Sequence, residues 1–112
     1  MSECIYRPSY YALLYSTLKD VAYRCGWAIA IHGSLNNDMD LVAIAWNDDA
    51  STTMEMLQET EAALSGTVFS YKWNGPHHNN ANRTTWTLPL ESDLYVDLTV
   101  VDFRGWKELG DE

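Results

Sequence analysis

The chain of 112 residues has the commonest size of a single domain, and its 46% hydrophobic content excludes a disordered chain. Its formal net charge of −9, from 16 acidic and 7 basic residues, disfavours direct binding to duplex nucleic acid or to an anionic membrane. The sequence has no apolar run near the roughly 20 residues that span a bilayer, and no Cys-x-x-Cys spacing for structural zinc. We read Cys4 and Cys25 as free thiols, and we expect one cytoplasmic, soluble domain over residues 1–112.

The first predicted element is a helix that begins after Pro8, with Ser9 as its N-cap. Gly26 is placed to end it as the residue that follows the last turn. Between them, apolar residues recur at helical spacing, namely Tyr11, Leu14, Leu18, Val21 and Cys25.

Two apolar segments follow and predict strands. Residues 27–32 end at Gly33 and indicate a buried strand. A polar turn over residues 34–37 leads to residues 41–46, which are apolar on both faces and therefore predict a central strand. We expect these two strands to be adjacent and central in the sheet.

A second helix is predicted where Thr52 and Glu55 form a capping-box pattern. Gly66 would end this helix. Its inward side chains would be Met54, Leu57 and Leu64.

Three more strands are predicted, over residues 67–73, 84–90 and 95–103. A polar loop over residues 74–82, rich in His and Asn, separates the first two and is expected to be the most mobile segment. The order α-β-β-α-β-β-β predicts an α+β fold, a mixed sheet of four or five strands with two helices on one face.

The chemically reactive residues are concentrated between the first two strands, in His32-Gly33-Ser34 and Asp38-Met39-Asp40. Asp38 and Asp40 are two residues apart, so their side chains point to the same face of a strand. Two unpaired carboxylates at that distance repel each other unless a cation neutralises them. Mg²⁺ is such a cation, and proteins bind it with one or two carboxylates and the phosphate oxygens of a substrate.

A third carboxylate is expected from Asp97, which interrupts the apolar run 95–100. A charge inside such a run is costly unless it has a partner. We therefore expect the carboxylate oxygens of Asp38, Asp40 and Asp97 to converge within about 4–6 Å. Gly33 and Ser34 should border the same concavity, because glycine lets backbone amides approach a phosphate and a serine hydroxyl can donate to it.

The three carboxylates also fit ordinary structural roles. Asn-Asn-Asp is common turn chemistry, so Asp38 and Asp40 fit a solvated turn between strands. Asp97 fits an edge strand that faces water.

The histidines also have a ligand-binding and a structural interpretation. His32 could contact a phosphate or orient a carboxylate, and a structural histidine is the alternative. His77 and His78 fit exposed loop residues that could reach a ligand. Arg83, which follows the polar loop, is the basic residue best placed to meet an anionic group.

A Gly-Ser after a strand, an Asp-x-Asp that opens the next strand and an Asp on a later strand together resemble the nucleotidyltransferase superfamily. The superfamily includes the kanamycin-type and minimal bacterial nucleotidyltransferases, and the resemblance covers residues 27–46 and 95–100. It implies two divalent metal ions, Mg or Mn, held by three catalytic carboxylates, which are Asp38, Asp40 and Asp97. It also implies contacts to the nucleoside triphosphate from Gly33 and Ser34.

Two features differ from that superfamily. Only Leu35, Asn36 and Asn37 separate the Gly-Ser from the first Asp, where the superfamily usually has a longer loop. The chain also has few basic residues to meet a phosphate. We therefore expect weak divalent-metal binding and little or no turnover.

The charge supports a second function class. The sequence also resembles small bacteriophage-encoded proteins that pair a His-Gly-Ser…Asp-x-Asp-Leu segment with a later Tyr-x-Asp-Leu segment. A small acidic protein of this type can inhibit a basic host protein in the host cytoplasm by presenting carboxylates where a nucleic acid would lie. The sequence leaves both classes open, a metal-dependent nucleotidyltransferase and a non-catalytic interaction protein.

Overall fold

The computed structural model describes residues 7–33, 35, 38–65, 70–80, 82–90 and 93–104. These residues form two helices and one five-stranded sheet, which confirms the predicted α+β class. In chain order the elements are α1 (Arg7–Arg24), β1 (Trp27–His32), β2 (Met39–Ala45), α2 (Thr53–Leu64), β3 (Asn79–Asn80), β4 (Arg83–Pro89) and β5 (Tyr95–Val101).

The sheet is mixed, with strand order β1-β2-β5-β4-β3. β2 and β5 are parallel, and the other three neighbouring pairs are antiparallel. The strand register aligns the buried side chains on one face, because residues that are paired across two strands point the same way. These buried pairs include Met39 with Val96, Leu41 with Leu98 and Ala43 with Val100.

Both helices pack on this buried face. Leu18 of α1 and Met56 and Leu57 of α2 belong to the same core cluster as the buried strand residues. The opposite face carries partly exposed residues, among them Asp40 and Val42. The candidate site lies on that opposite face.

Helix α1 begins at Arg7, so Ser9 lies inside the helix and the predicted N-cap is wrong. Pro8 fits the first turn because the backbone N–H groups there have no partner within the helix. Gly26 ends the helix as predicted, with a φ of +90° and its N–H donating to the Tyr23 carbonyl at 3.0 Å.

Helix α2 has the predicted capping box. The Glu55 N–H donates to Thr52 Oγ1 at 3.1 Å, and the Thr52 N–H donates to Glu55 Oε1 at 3.0 Å. The predicted inward face was partly wrong, because Met54 is 50% exposed whereas Met56 is fully buried. The buried stripe instead follows the helical repeat through Met56, Leu57 and Thr60, with Leu64 partly buried. Gly66 lies outside the described residues.

The strands predicted at residues 27–32 and 41–46 are adjacent, as β1 and β2, but β1 is not central. It forms one edge of the described sheet, because β2 pairs with β5 on its other side. The prediction that β2 is buried on both faces was also partly wrong, since Ile44 is 40% exposed.

The strand predicted over residues 67–73 is wrong in its described part, residues 70–73; residues 67–69 lie outside the described chain. Side chains of α2, rather than a neighbouring strand, accept the hydrogen bonds of Trp73 in this segment. The Trp73 N–H donates to Glu61 Oε2 at 2.7 Å, and the buried Trp73 indole donates to Thr60 Oγ1 at 2.9 Å.

The polar loop predicted over residues 74–82 contains β3 and is hydrogen-bonded to β4. Asn74 and Thr87 exchange two backbone hydrogen bonds of 2.7 and 2.9 Å. The His77 N–H donates to the Thr85 carbonyl at 2.8 Å. The described part of this loop is therefore attached to the sheet along its length.

Among the residues that the structure describes, none of the helices is both long enough and apolar enough to span a bilayer.

Candidate metal centre

Asp40 and Asp97 occupy directly paired positions in the parallel strands β2 and β5. Their side chains therefore share a face, the one opposite the buried core. Asp38 immediately precedes β2. One carboxylate oxygen from each of the three residues lies within 4.8 Å of the others, which confirms the predicted convergence.

The pKa values of Asp40 and Asp97 are both raised, first by burial and then by the neighbouring carboxylates. Partial burial raises the pKa of Asp40, and the negative charge of Asp38 raises it further, while His32 lowers it. Burial also raises the pKa of Asp97, and a hydrogen bond from Thr87 acts in the opposite direction. Even the exposed Tyr95 hydroxyl has a raised pKa, chiefly because of the charge of Asp38. The site therefore concentrates negative charge that a cation would neutralise.

The donor set fits a hard divalent cation. All three donors are carboxylate oxygens, which suit Mg²⁺ and Mn²⁺ better than softer metals. Mg²⁺ holds oxygen ligands at about 2.0–2.1 Å, so two ligands on opposite sides of the ion are about 4.2 Å apart. At most one pair of the three can lie on opposite sides, and neighbouring ligands are about 2.9 Å apart, so oxygens that start 4.8 Å apart would need to close by up to about 1.9 Å.

Gly33 lies beside these carboxylates. It has a φ of +94°, and a Cβ atom built on it would lie 3.4 Å from Asp40 Oδ2. The backbone at this turn is therefore close to the candidate cation position. Ser34 lies outside the described residues, so its predicted contact with phosphate stays a prediction.

His32 and Arg83 lie at different distances from the carboxylates. His32 is exposed and pairs with Asp40 across β1 and β2. Arg83 is four residues from Thr87, the partner of Asp97 in β4, which corresponds to about 13 Å along the strand. The fold thus brings the backbone of His32 to the cluster and leaves that of Arg83 at the far end of β4.

Thr87 lies next to the cluster and was not identified from the sequence, which predicted its neighbour His77 as a loop residue that could reach a ligand. The Thr87 hydroxyl donates to Asp97 Oδ1 at 3.1 Å, and His77 Nε2 lies 3.1 Å from the same hydroxyl oxygen. Alternation along β4 indicates that Thr87 faces away from the buried Trp86 and Leu88. The residue of β5 that it meets depends on the strand register, which the sequence pattern does not contain.

A groove of about 320 Å³ adjoins Asp97 on this face of the sheet. Its polar lining consists of hydroxyl and imidazole groups in addition to the Asp97 carboxylate. These groups belong to His77, His78, Thr85, Thr87 and Thr99. Asp97 therefore borders open space on the β4 side.

No protein-family model and no curated protein matches the sequence. Among solved structures, the chain is similar to a cytoplasmic RNA terminal U-transferase, with a TM-score of 0.48 and 17% sequence identity. The similarity covers 83% of this chain and 27% of the other, so the chain spans about a quarter of that protein's length.

Proposed function

We propose that the protein is a minimal nucleotidyltransferase-like domain that binds Mg²⁺ or Mn²⁺ together with a nucleoside triphosphate. We further propose that its turnover is weak or absent when it acts alone. One observation carries this proposal, the convergence of Asp38, Asp40 and Asp97 within 4.8 Å on the open face of the sheet.

Each residue of the site would have a distinct role. Asp38, Asp40 and Asp97 hold the cation, which supplies positive charge to the triphosphate. Gly33 leaves space beside Asp40 Oδ2 for a phosphate group, because it has no side chain. The backbone at Gly33 contacts the phosphate group. The groove next to Asp97 leaves room for an acceptor.

Weak turnover follows from the shortage of positive charge. Transfer of a nucleotidyl group requires cationic groups around the charge that develops on it. Two of the described basic residues form ion pairs elsewhere, Arg104 with Asp102 and Lys19 with Asp20. Arg83, the residue predicted to meet the nucleotide, lies about 13 Å along β4 from Thr87.

The first test is Mn²⁺ binding, measured by the loss of the free-ion EPR signal. Wild-type protein should bind Mn²⁺, and Asp40→Asn and Asp97→Asn should bind it at least about 10-fold more weakly, because each removes a ligand charge. Asp49→Asn is the matched control, since it removes an exposed carboxylate from the loop before α2. Equal affinity in all four proteins would contradict the metal site.

The second test is transfer of a labelled nucleotide in the presence of Mn²⁺, comparing wild type with the double variant Asp38→Asn/Asp40→Asn. We expect a signal at or near background in both. Robust transfer by the wild type that the double variant abolishes would show an efficient enzyme and would contradict the proposed weak turnover.

The net charge of −9 favours a second candidate function, an acidic interaction or inhibitor protein that binds a basic partner protein. This function predicts no specific metal or nucleotide binding. Binding to a basic protein should then weaken steeply with salt, and it should depend on total acidic charge, so that Asp49→Asn and Asp40→Asn weaken it equally. Mn²⁺ binding that depends on Asp40 and not on Asp49 would favour the first function.

A further inference from the structure

The hydrogen bonds beside Asp97 form a chain whose direction is fixed when the Asp97 carboxylate is ionised. Thr87 Oγ1 donates to Asp97 Oδ1 at 3.1 Å. A threonine hydroxyl has a single proton, so Thr87 has no further proton to give. His77 Nε2 lies 3.1 Å from the same oxygen, so while Asp97 is ionised it can complete this hydrogen bond only as a donor, with a proton on Nε2. The chain runs from His77 to Thr87 to Asp97.

The position of His77 is set by hydrogen bonds that the backbone of residues 74–78 makes to β4. Asn74 pairs with Thr87 through two backbone bonds, and the His77 N–H donates to the Thr85 carbonyl at 2.8 Å. The His78 N–H donates to Thr85 Oγ1 at 3.1 Å. This exposed imidazole is thus held over Thr87 by the loop backbone.

We propose that Thr87 and His77 are positioning residues that fix the orientation of Asp97 for a bound cation, an inference that rests on the proposed metal site. A carboxylate rotates about its Cβ–Cγ bond, and a hydrogen bond to Oδ1 selects one rotational position. Hydrogen bonds of this kind hold metal-ligating carboxylates in place and change metal affinity when they are removed. His77 acts through Thr87, since its Nε2–H strengthens the polarisation of the hydroxyl that reaches Asp97.

The decisive variant is Thr87→Val, which keeps the shape of the side chain and removes the hydroxyl. It should weaken Mn²⁺ binding about 10-fold, the lower end of the effect of losing such a hydrogen bond. Thr87→Ser should restore wild-type affinity, because it returns the donor. Thr99→Val is the matched control, since it removes a hydroxyl from the lining of the same groove.

His77 is tested separately, because it is exposed and its substitution leaves the core intact. His77→Ala should weaken Mn²⁺ binding, and His77→Gln, whose amide can donate in place of Nε2–H, should retain more of the affinity. His78→Ala should bind as wild type does. In the Thr87→Val background, His77→Ala should cause no further loss, because its effect passes through the hydroxyl.

A readout without metal separates this inference from the proposed function. Long-range ¹H–¹⁵N NMR should show that neutral His77 carries its proton on Nε2. A proton on Nδ1 would overturn the hydrogen-bond chain. Mn²⁺ binding by wild type with unchanged affinity in Thr87→Val and His77→Ala would overturn the positioning role while the metal site stands. Absence of Mn²⁺ binding by wild type would overturn the proposed function, and the positioning role with it, whatever the His77 tautomer.

Discussion

Asp40 and Asp97 are direct neighbours across the parallel strands β2 and β5, with both side chains on the face opposite the core. Two carboxylates in this arrangement destabilise the folded chain, since each raises the cost of ionising the other. Asp38 adds a third negative charge at the start of β2. The same three groups that would bind a cation therefore lower the stability of the metal-free protein, and this relationship can be measured.

Asp40→Asn should raise the thermal stability of the metal-free protein at neutral pH. The pKa of Asp40 is higher in the folded chain than its ordinary value of 3.8. The folded state therefore favours the protonated form, and the destabilising effect is absent below the unfolded pKa and complete above the folded pKa. Thermal unfolding with a chelator, compared with the control Asp49→Asn, checks this. A lower melting temperature for Asp40→Asn than for the control would contradict it.

The affinity for Mn²⁺ should fall as the pH is lowered from neutrality towards the ordinary carboxylate value of 3.8. The pKa values of Asp40 and Asp97 are both raised, chiefly by burial, so protons compete with the cation earlier than at an isolated aspartate. Calorimetric titration across this pH range should also detect proton release on binding. An affinity that does not change with pH would show that these carboxylates are not the ligands.

Arg104→Lys should destabilise the fold by about 1–3 kcal/mol without weakening Mn²⁺ binding. The Arg104 guanidinium donates to both oxygens of Asp102 and to the backbone carbonyls of Ala50 and Ser51, and it lies 5.6 Å from the centre of the Trp27 ring. A lysine cannot reproduce this set of contacts.

Urea unfolding measures the loss of stability in Arg104→Lys. The control Lys19→Ala, which removes an exposed ion pair, should change the free energy of unfolding by no more than about 0.5 kcal/mol. A similar change in the two variants would contradict the role of Arg104.

Two glycine substitutions should separate stability from ligand binding. Gly26→Ala should cost at least about 2 kcal/mol, because Gly26 has a positive φ and a new Cβ would lie 2.6 Å from Ala50 Cα. Gly33→Ala should cost about 1–2 kcal/mol from its positive φ alone and should also weaken binding of Mn²⁺ with a nucleotide. Its methyl group would lie 3.4 Å from Asp40 Oδ2.

Denaturant unfolding and Mn²⁺-nucleotide titration of both glycine variants measure these effects. Equal nucleotide binding by Gly33→Ala and wild type would show that no ligand approaches Asp40 from this side.

Local patterns in the sequence were sufficient to predict the helices and most of the strands. The capping box of Thr52 and Glu55 located the start of α2, and Gly26 located the end of α1. Interactions between residues close in the chain determine these features, since caps and turns depend on residues a few positions apart. The same reasoning identified the three aspartates, because Asp38 and Asp40 are close in the chain and Asp97 interrupts an apolar strand.

Tertiary structure decided how these elements meet. That β5 pairs in parallel with β2, and so places Asp97 beside Asp40, depends on long-range strand pairing, and a shift of one residue would have turned Asp97 to the other face. The register of β4 likewise brought Thr87 to Asp97, and the attachment of residues 74–78 to β4 brought His77 to Thr87. The sequence determined which side chains can bind a cation. The fold determined their partners, because register and strand order come from the packing of the whole core.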